Sequence, residues 1–521
     1  MPAPSGLQRR AQASRCKPPE SAGDCCVKLQ FSVRPVFLLQ AQLPSAPSFP
    51  ATRTHPIAAT RVESNTGMSI LQSHFVLPLT RPERYAGLPS RLHEIRSFDR
   101  RSEREQRQGQ QQRLRQLLKH AYQTVPFYRR QFDEARFSPF DARIGEALPL
   151  PVLTLQHLRE NSHALLSTAY KLQDLRKAST RGTHEMPTEF HRDLDGLRYK
   201  TALHVHLNSW SGYHPGDSNM MLWGNHRDLA IDPSWRWRLA DAKLLRRASD
   251  PGGSVNKAVM ERFRLRYEQM RPKILHGYPN ALTEFAAYLE EYGIQHRPKA
   301  ILAPADVLTD ANRRFIESVF DQRIYLQYGS RELGMIGAEC PEHEGLHFHP
   351  WGCYVEFEPI GNTAEGTLYR LLVTDLLNYG QPFIRYDTGD CVTVAHQSCS
   401  CGRWFPLITR VLGYIGDAIV LSNGDVIPGT AIGSQISQVQ RRFRRIAHVQ
   451  LVQKSYDHLH LRYAVRSSIP SVQAELQSVR KAIENLVHRP LVWTSEEVAN
   501  IPRERSGKIQ YCVSELTTRK H

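Results

Sequence analysis

Residues 327–334 read QYGSRELG, directly after the strand-like run Arg323-Ile324-Tyr325-Leu326. Gly329 lets backbone pass close to a ligand, Glu332 sets one carboxylate beside it, Ser330 adds a hydroxyl and Tyr328 an aromatic face. A strand ending in glycine, hydroxyl and acid suits a nucleotide phosphate with its Mg²⁺, because Mg²⁺ takes one or two carboxylates plus phosphate oxygens. A strand that simply turns into a helix, with a solvated Glu332, fits the same eight residues. The other chemistry-bearing segments decide between the two.

Tyr386-Asp387-Thr388-Gly389-Asp390 places an acid on a tight Thr-Gly turn, where Asp390 can accept two hydrogen bonds from the paired hydroxyls of a ribose; a plain Asx-capped turn is the competing account. Lys508, in Arg505-Ser506-Gly507-Lys508-Ile509, is a mobile point charge able to reach a phosphate or carboxylate, or else a solvated surface lysine. Ser179-Thr180-Arg181-Gly182-Thr183-His184-Glu185-Met186-Pro187 has the hydroxyls and closing proline of a phosphate-cradling loop, although one glycine permits less close approach than two or three. Cys340 and His347, followed by Cys399-Ser400-Cys401-Gly402, form a Cys₃His set suited to a closed tetrahedral zinc site. His343 is the alternative nitrogen ligand, and independent buried cysteines are the competing account.

The elements that must position these groups follow from periodicity. From Gln106 onward, Leu114, Leu117, Leu118, Ala121 and Tyr122 fall at helical spacing until Pro126 ends the run. Ile274–Gly277 leads into a helix over residues 281–292, residues 300–302 into a helix over 310–320, and Ile324–Gln327 into the opening turn. Strand alternating with helix predicts a mostly parallel α/β sheet. After Gly345 strands dominate, at residues 347–349, 354–358, 366–373 and 392–394. A smaller α+β domain is predicted from Gly413, with strands over 419–421, 448–453 and 458–464 and a helix over 471–487. The expected division is 1–67 as a disordered or mis-started extension, 68–412 as a large domain, and 413–521 as a small one.

The chain has 521 residues, 40% hydrophobic and 23% charged, as expected of an enzyme with two cores. No apolar run approaches the roughly 18 residues needed to span a bilayer. Net charge is +17, part of it in residues 1–67, where eight Lys or Arg face three acids. The Arg- and Gln-rich stretch from Arg91 to Lys119 reads as one helix with a solvated basic face. No nucleic-acid-binding signature accompanies the charge, so an anionic cosubstrate is the expected partner. Nine cysteines, with no convincing secretory signal, predict a reducing compartment and a cytoplasmic location.

Taken collinearly over about residues 105–521, these segments resemble the adenylate-forming (AMP-dependent) ligases, specifically the phenylacetate–CoA ligase and capsular-polysaccharide-biosynthesis branch. The resemblance rests on residues 118–128 and 148–154, HGYPNALTEFAAYL (276–289), YGSRELGMIGAEC (328–340), GLHF (345–348), YDTGD (386–390), CSCGR (399–403) and SGKIQ (506–510). It implies a large N-terminal α/β domain with mixed sheets and a small mobile C-terminal α+β domain. It implies ATP, Mg²⁺ and CoA as cofactors: a carboxylic acid attacks the α-phosphorus, and a thiol then takes the acyl group. By position, Tyr328, Gly329 and Ser330 line the AMP site, Glu332 holds Mg²⁺, Asp390 binds ribose, and Lys508 bridges carboxylate and α-phosphate. Thr180, Gly182 and Thr183 fall in the phosphate loop, Asp306 takes the place of a family acid before a helix, and Asp417 is the hinge candidate.

Two positions depart from the family pattern. Glu185 stands where the phosphate loop carries a second glycine, and a bulky anion there repels triphosphate; Arg181 and His184 could offset it. Tyr414 stands where an Arg is usual, with Arg410 as its substitute. His204, Trp210, Tyr213 and Trp223 would suit an aryl or apolar acid pocket, or equally a core. Besides a CoA ligase, the pattern admits adenylation with transfer to an amine or hydroxyl in capsular-polysaccharide or natural-product biosynthesis, or a non-catalytic descendant. A homodimer is compatible with all three.

Overall fold

The computed structural model describes residues 77–180, 188–223, 247–251, 257–304, 308–363, 366–395, 397–414, 418–423, 425–443, 446–465, 472–501 and 511–516. The extension 1–67 lies outside them, as do Gly182, Thr183, Glu185, Asp306, Asp417 and Lys508.

The basic N-terminal stretch forms two helices, not the single one expected. Helix α1 (Leu88–Asp99) ends one turn before α2 (Glu103–Thr124). Ser102 breaks the run with a capping box: its hydroxyl accepts from the Glu105 amide at 3.4 Å, and Glu105 accepts from the Ser102 amide at 2.9 Å. Pro126 then confines Val125 to an extended conformation, ending α2, and opens α3 (Pro126–Glu134) at its first position. The polar face is only partly solvated. Gln106 and Gln110 are buried, and Gln110 donates to the Cys353 carbonyl at 2.9 Å. The guanidinium groups of Arg113 and Arg107 sit 3.4 and 4.1 Å from the ring centroids of Trp351 and Trp404.

A hairpin of β1 (Arg176–Ser179) and β2 (Glu189–Arg192) precedes α4 (Leu194–Ser209), whose N-cap Asp193 accepts from the Gly196 amide at 2.7 Å. Then come β3 (Asn219–Trp223), β4 (Arg247–Pro251), α5 (Lys257–Met270), β5 (Ile274–Gly277), α6 (Pro279–Tyr292), β6 (Ala300–Pro304), α7 (Asp310–Phe320) and β7 (Ile324–Ser330). These strands pair in parallel in the order β4-β3-β5-β6-β7. Every residue of β5 and β6 is buried, as a parallel sheet covered on both faces requires. Phe263 and Tyr267 of α5, Phe285 of α6 and Phe320 of α7 cover one face.

Beyond β7 the sheet becomes antiparallel. Strands β8 (Gly334–Glu339), β9 (Leu346–Phe348), β10 (Cys353–Thr363), β11 (Gly366–Asp375), β12 (Tyr386–Val394) and β13 (Leu407–Tyr414) complete an 11-stranded mixed sheet in the order β10-β11-β12-β13-β9-β8-β7-β6-β5-β3-β4. The QYGS residues therefore lie within β7, and the turn is confined to Arg331–Leu333 between β7 and β8. Leu114, Leu117 and Leu118 of α2 and Phe127 and Phe132 of α3 pack with Tyr328, Phe348, Tyr386 and Val392 in one core.

From Ile419 the chain builds a separate core. A short ribbon of β14 (Ile419–Val420) and β15 (Val426–Ile427) leads into α8 (Gly429–Phe443). Strands β16 (Ile446–Gln453), β17 (His458–Val465), β18 (Val492–Glu497) and β19 (Cys512–Ser514) form a four-stranded sheet ordered β18-β17-β16-β19, with α9 (Gln473–Val487) packed alongside. Among the described residues no helix is long and apolar enough to cross a membrane.

Candidate functional site

The β7–β8 hairpin and β12 converge on one locus. Tyr328 is 4% exposed, and its ring packs 5.1 Å from that of Phe348, so it presents no free face to a base. Its hydroxyl instead donates to Asp390 Oδ2 at 2.6 Å. A parallel arrangement holds the other acid: the Tyr386 hydroxyl, at 3.4 Å, donates to Glu332 Oε1. Burial first, and the neighbouring carboxylates second, raise both phenols well above the usual tyrosine range. Both therefore stay protonated and act as fixed donors.

Asp390 reaches this position through a bulge. Leu372 of β11 pairs with Asp387, yet Arg370 pairs with Cys391, so three residues of β12 oppose one of β11. Gly389 takes φ +74° within the bulge, a conformation favoured for glycine, and its amide donates to Asp387 Oδ1 at 2.9 Å. Asp387 itself is engaged by Arg370 at 2.5 Å, whereas Asp390 accepts from Tyr328.

Gly329 is required for a different reason from the one its sequence context suggests. A Cβ at that position would sit 2.3 Å from the Gly334 carbonyl oxygen across the hairpin, so the close approach comes from the chain's own backbone. Ser330 Oγ accepts from the Leu333 amide at 3.2 Å and so closes the turn. Under that turn lie a buried lysine and a half-buried arginine that no sequence motif marked. Lys200 Nζ donates to the Glu332 carbonyl at 3.0 Å, and Arg192 donates to the Arg331 carbonyl.

Thr180 is buried and pairs with Thr188 at the end of the β1–β2 hairpin: its amide donates to the Thr188 carbonyl at 2.9 Å, and its hydroxyl accepts from the Thr188 amide at 3.0 Å. Arg410, on β13, bonds Asp310 Oδ2 at 3.0 Å. Trp210 and Tyr213 are core residues, so they do not form an open pocket; the side chain of Trp223 is outside the described set.

Cys340, His347, Cys399 and Cys401 come together with their ligand atoms within 4.8 Å of one another. Cys340 Sγ lies 3.6 Å from Cys399 Sγ, and Cys401 Sγ lies 3.4 Å from His347 Nε2. A tetrahedral zinc with ordinary bond lengths gives edges of about 3.8 Å between sulfurs and about 3.6 Å from sulfur to nitrogen, so these residues fit the ion. Gly402, at φ +76°, closes the Cys399–Cys401 knuckle through its amide, which donates to the Cys399 carbonyl at 3.1 Å. Ser400 donates its amide (3.1 Å) and hydroxyl (2.5 Å) to Glu344. His343 turns away to Glu339 at 3.2 Å, which selects His347 as the nitrogen member of the cluster.

Beside this cluster, across Trp210 and Phe405, Asp99 bridges two buried histidines. His206 Nε2 lies 2.7 Å from Asp99 Oδ2 and His349 Nε2 lies 2.9 Å from Oδ1. The Trp351 amide donates to His349 Nδ1, which leaves the proton of a neutral His349 on Nε2, facing Asp99. Burial opposes ionisation of Asp99, but the two imidazoles together hold its carboxyl well below the usual range. These three residues, far apart in sequence and matching no motif, carried no signal before folding.

No family model matches the chain. Among curated proteins, phenylacetate–coenzyme A ligase of Thermus thermophilus is 24% identical over 329 residues, which is 61% of this chain and 72% of that protein. Protein CapK of Staphylococcus aureus is 21% identical over 414 residues, covering 78% and 89% respectively. Among solved structures, 2-hydroxyisobutyryl-CoA ligase in the postadenylation state with 2-HIB-AMP superposes with a TM-score of 0.60 at 19% identity, covering 80% of this chain and 91% of that one. The chain thus has the fold of the adenylate-forming ligases, and by sequence it is a relative of phenylacetate–CoA ligase and CapK.

Proposed function

We propose that the chain is an acid–CoA ligase that activates a carboxylic acid with ATP as the acyl-adenylate and passes the acyl group to the CoA thiol. The observation that carries this reading is the convergence of Glu332 and Asp390, each held by a buried tyrosine hydroxyl at one place in an adenylate-forming fold. Glu332 is assigned to Mg²⁺, and Asp390 to the ribose hydroxyls. Mg²⁺, when bound, would screen the charge of the triphosphate. A carboxylate with two oxygens can accept from Tyr328 and from paired ribose O–H donors together, which is the role assigned to Asp390. Gly329 and Ser330 are assigned to the AMP-facing edge of β7. Thr180, Gly182 and Thr183 are assigned to the phosphates, Asp306 and Arg410 to the nucleotide, and Lys508 to the carboxylate and α-phosphate oxygens, where it would stabilise developing negative charge.

The substrate assigned to the site is an aryl or other apolar acid, in keeping with the phenylacetate named for the Thermus relative. The sequence places the small domain from Gly413, but Gly413 and Tyr414 pair with β12 in the large sheet; the unit from Ile419 onward, with its own core, is assigned as the mobile small domain that turns between half-reactions about Asp417. Cys340, His347, Cys399 and Cys401 are assigned to one structural Zn²⁺, which would cross-link the β8–β9 connection to the knuckle before β13.

The test is thioester formation. Purified protein with ATP, Mg²⁺, CoA and a panel of aryl and short apolar acids should give an acyl-CoA by mass spectrometry for at least one acid. AMP release driven by an acid with no thioester would redirect the reading to an amine or hydroxyl acceptor. No acid-dependent AMP at all would contradict it.

A further inference from the structure

We propose that Lys200, seconded by Arg192, is the positioning residue of the Glu332 turn: a buried cation that acts on the carboxylate by fixing the main chain that carries it. The inference rests on the ligase reading above and names a part of the site that reading does not contain.

Lys200 lies on α4, 132 residues from the turn, and is 5% exposed. Its Nζ makes two contacts in the interior, to the Glu332 carbonyl at 3.0 Å and to Asp375 Oδ2 at 2.5 Å, with Asp375 1% exposed. Asp375 is held in turn by the Leu377 amide at 3.0 Å. Burial lowers the Lys200 ammonium and raises the Asp375 carboxyl, and each offsets the other's loss of solvation. Burying such a pair is expensive, and two apolar residues of the same volume would serve a packing role at least as well. What an apolar pair cannot do is hold a carbonyl oxygen. Arg192, half-buried, repeats the device one residue earlier at Arg331.

The hairpin is shaped around the lysine. Gly334, at φ +76°, lies under the Lys200 stem, and a Cβ there would stand 3.3 Å from Lys200 Cδ. The turn is therefore gripped at both ends: its main chain by Lys200 and Arg192 from below, and the Glu332 carboxylate by the Tyr386 hydroxyl. Holding both the Cα and the carboxylate restricts the glutamate to few rotamers before Mg²⁺ or nucleotide arrives, which is what a ligand of a geometrically demanding ion needs.

The test is Lys200→Met combined with Asp375→Asn, which removes both charges and leaves no lone buried ion. Acid-dependent ATP–pyrophosphate exchange is measured against Mg²⁺ concentration, next to a stability-matched control, Phe285→Leu, in the parallel-sheet core. The pair variant should lower exchange at least about tenfold and raise the half-maximal Mg²⁺ concentration at least about fivefold, with the control unmoved in Mg²⁺ dependence. An unchanged Mg²⁺ dependence, or an equal shift in the control, overturns the inference while leaving the ligase reading intact. A wild-type protein without exchange for any acid overturns both. If the pair variant does not fold, Arg192→Lys carries the same test: an Mg²⁺ shift of about threefold supports the inference, and none overturns it.

Discussion

The Tyr328 hydroxyl donates to Asp390 Oδ2 at 2.6 Å, although β7 and β12 are four steps apart in the sheet order. In a flat sheet four steps span about 19 Å, well beyond a side chain's reach. The antiparallel part of the sheet must therefore curl until β7 and β12 face each other across the core of Leu117, Phe348 and Val392. That curl, with the bulge at Gly389, is what makes one site from two strands.

Tyr328→Phe removes this donor and leaves the ring and its packing in place. A hydrogen bond to a charged group contributes about 1.5–3 kcal/mol, so the KM for ATP in exchange should rise by about tenfold or more. The melting temperature serves as the control for the core. An unchanged KM would separate Asp390 from nucleotide binding.

Purified protein should carry one equivalent of zinc, and Cys399→Ser with Cys401→Ser should lower it to below about a tenth of an equivalent. Metal analysis checks both values. Because thiolates and imidazole must be deprotonated to bind, zinc should leave more readily as pH falls, so chelator release at pH 5.5 should outpace release at pH 8. Zinc-free native protein with full stability would contradict the assignment.

Asp99→Asn replaces an acceptor oxygen with an N–H donor facing a histidine N–H. Breaking a buried charged contact of this kind costs about 3 kcal/mol, to be read from denaturant unfolding at pH 7. The pH sign follows from the lowered carboxyl: the folded form binds fewer protons there than the unfolded form. The contribution is thus fully present above about pH 4 and is lost as pH falls below it, and the variant should show a flatter decline of stability in acid.

Lys508→Ala should lower acid-dependent exchange by about a hundredfold or more, with the KM for ATP within about threefold of wild type. Loss of binding in place of turnover would assign the lysine to nucleotide affinity.

Much of this was legible in local pattern. The segments 274–277, 300–302 and 310–320 announce strand and helix through short apolar runs or amphipathic spacing, and they fold as a strand, a strand over Ala300–Pro304 and a helix. Glu332, Asp390 and the Cys340–His347–Cys399–Cys401 cluster were visible because each sits in a short run of unusual residue types. What escaped was long-range or exact in geometry. The break at Ser102 needed the capping box to be weighed against continuous helical spacing. The burial of Gln106 and Gln110 depended on Trp404 and the Cys353 carbonyl, both reached across the fold. Lys200, Tyr386 and the Asp99–His206–His349 bridge act through partners 54 to 250 positions away, which periodicity does not encode. The loop carrying Glu185 lies outside the described residues.

Adenylation of a carboxylic acid at this site is read most directly from ATP–pyrophosphate exchange across a panel of aryl and short apolar acids. Exchange should require both an acid and Mg²⁺, and should fall by about a hundredfold or more in Glu332→Gln and Asp390→Ala proteins that remain folded. Exchange absent for every acid, or undiminished in both variants, would contradict it.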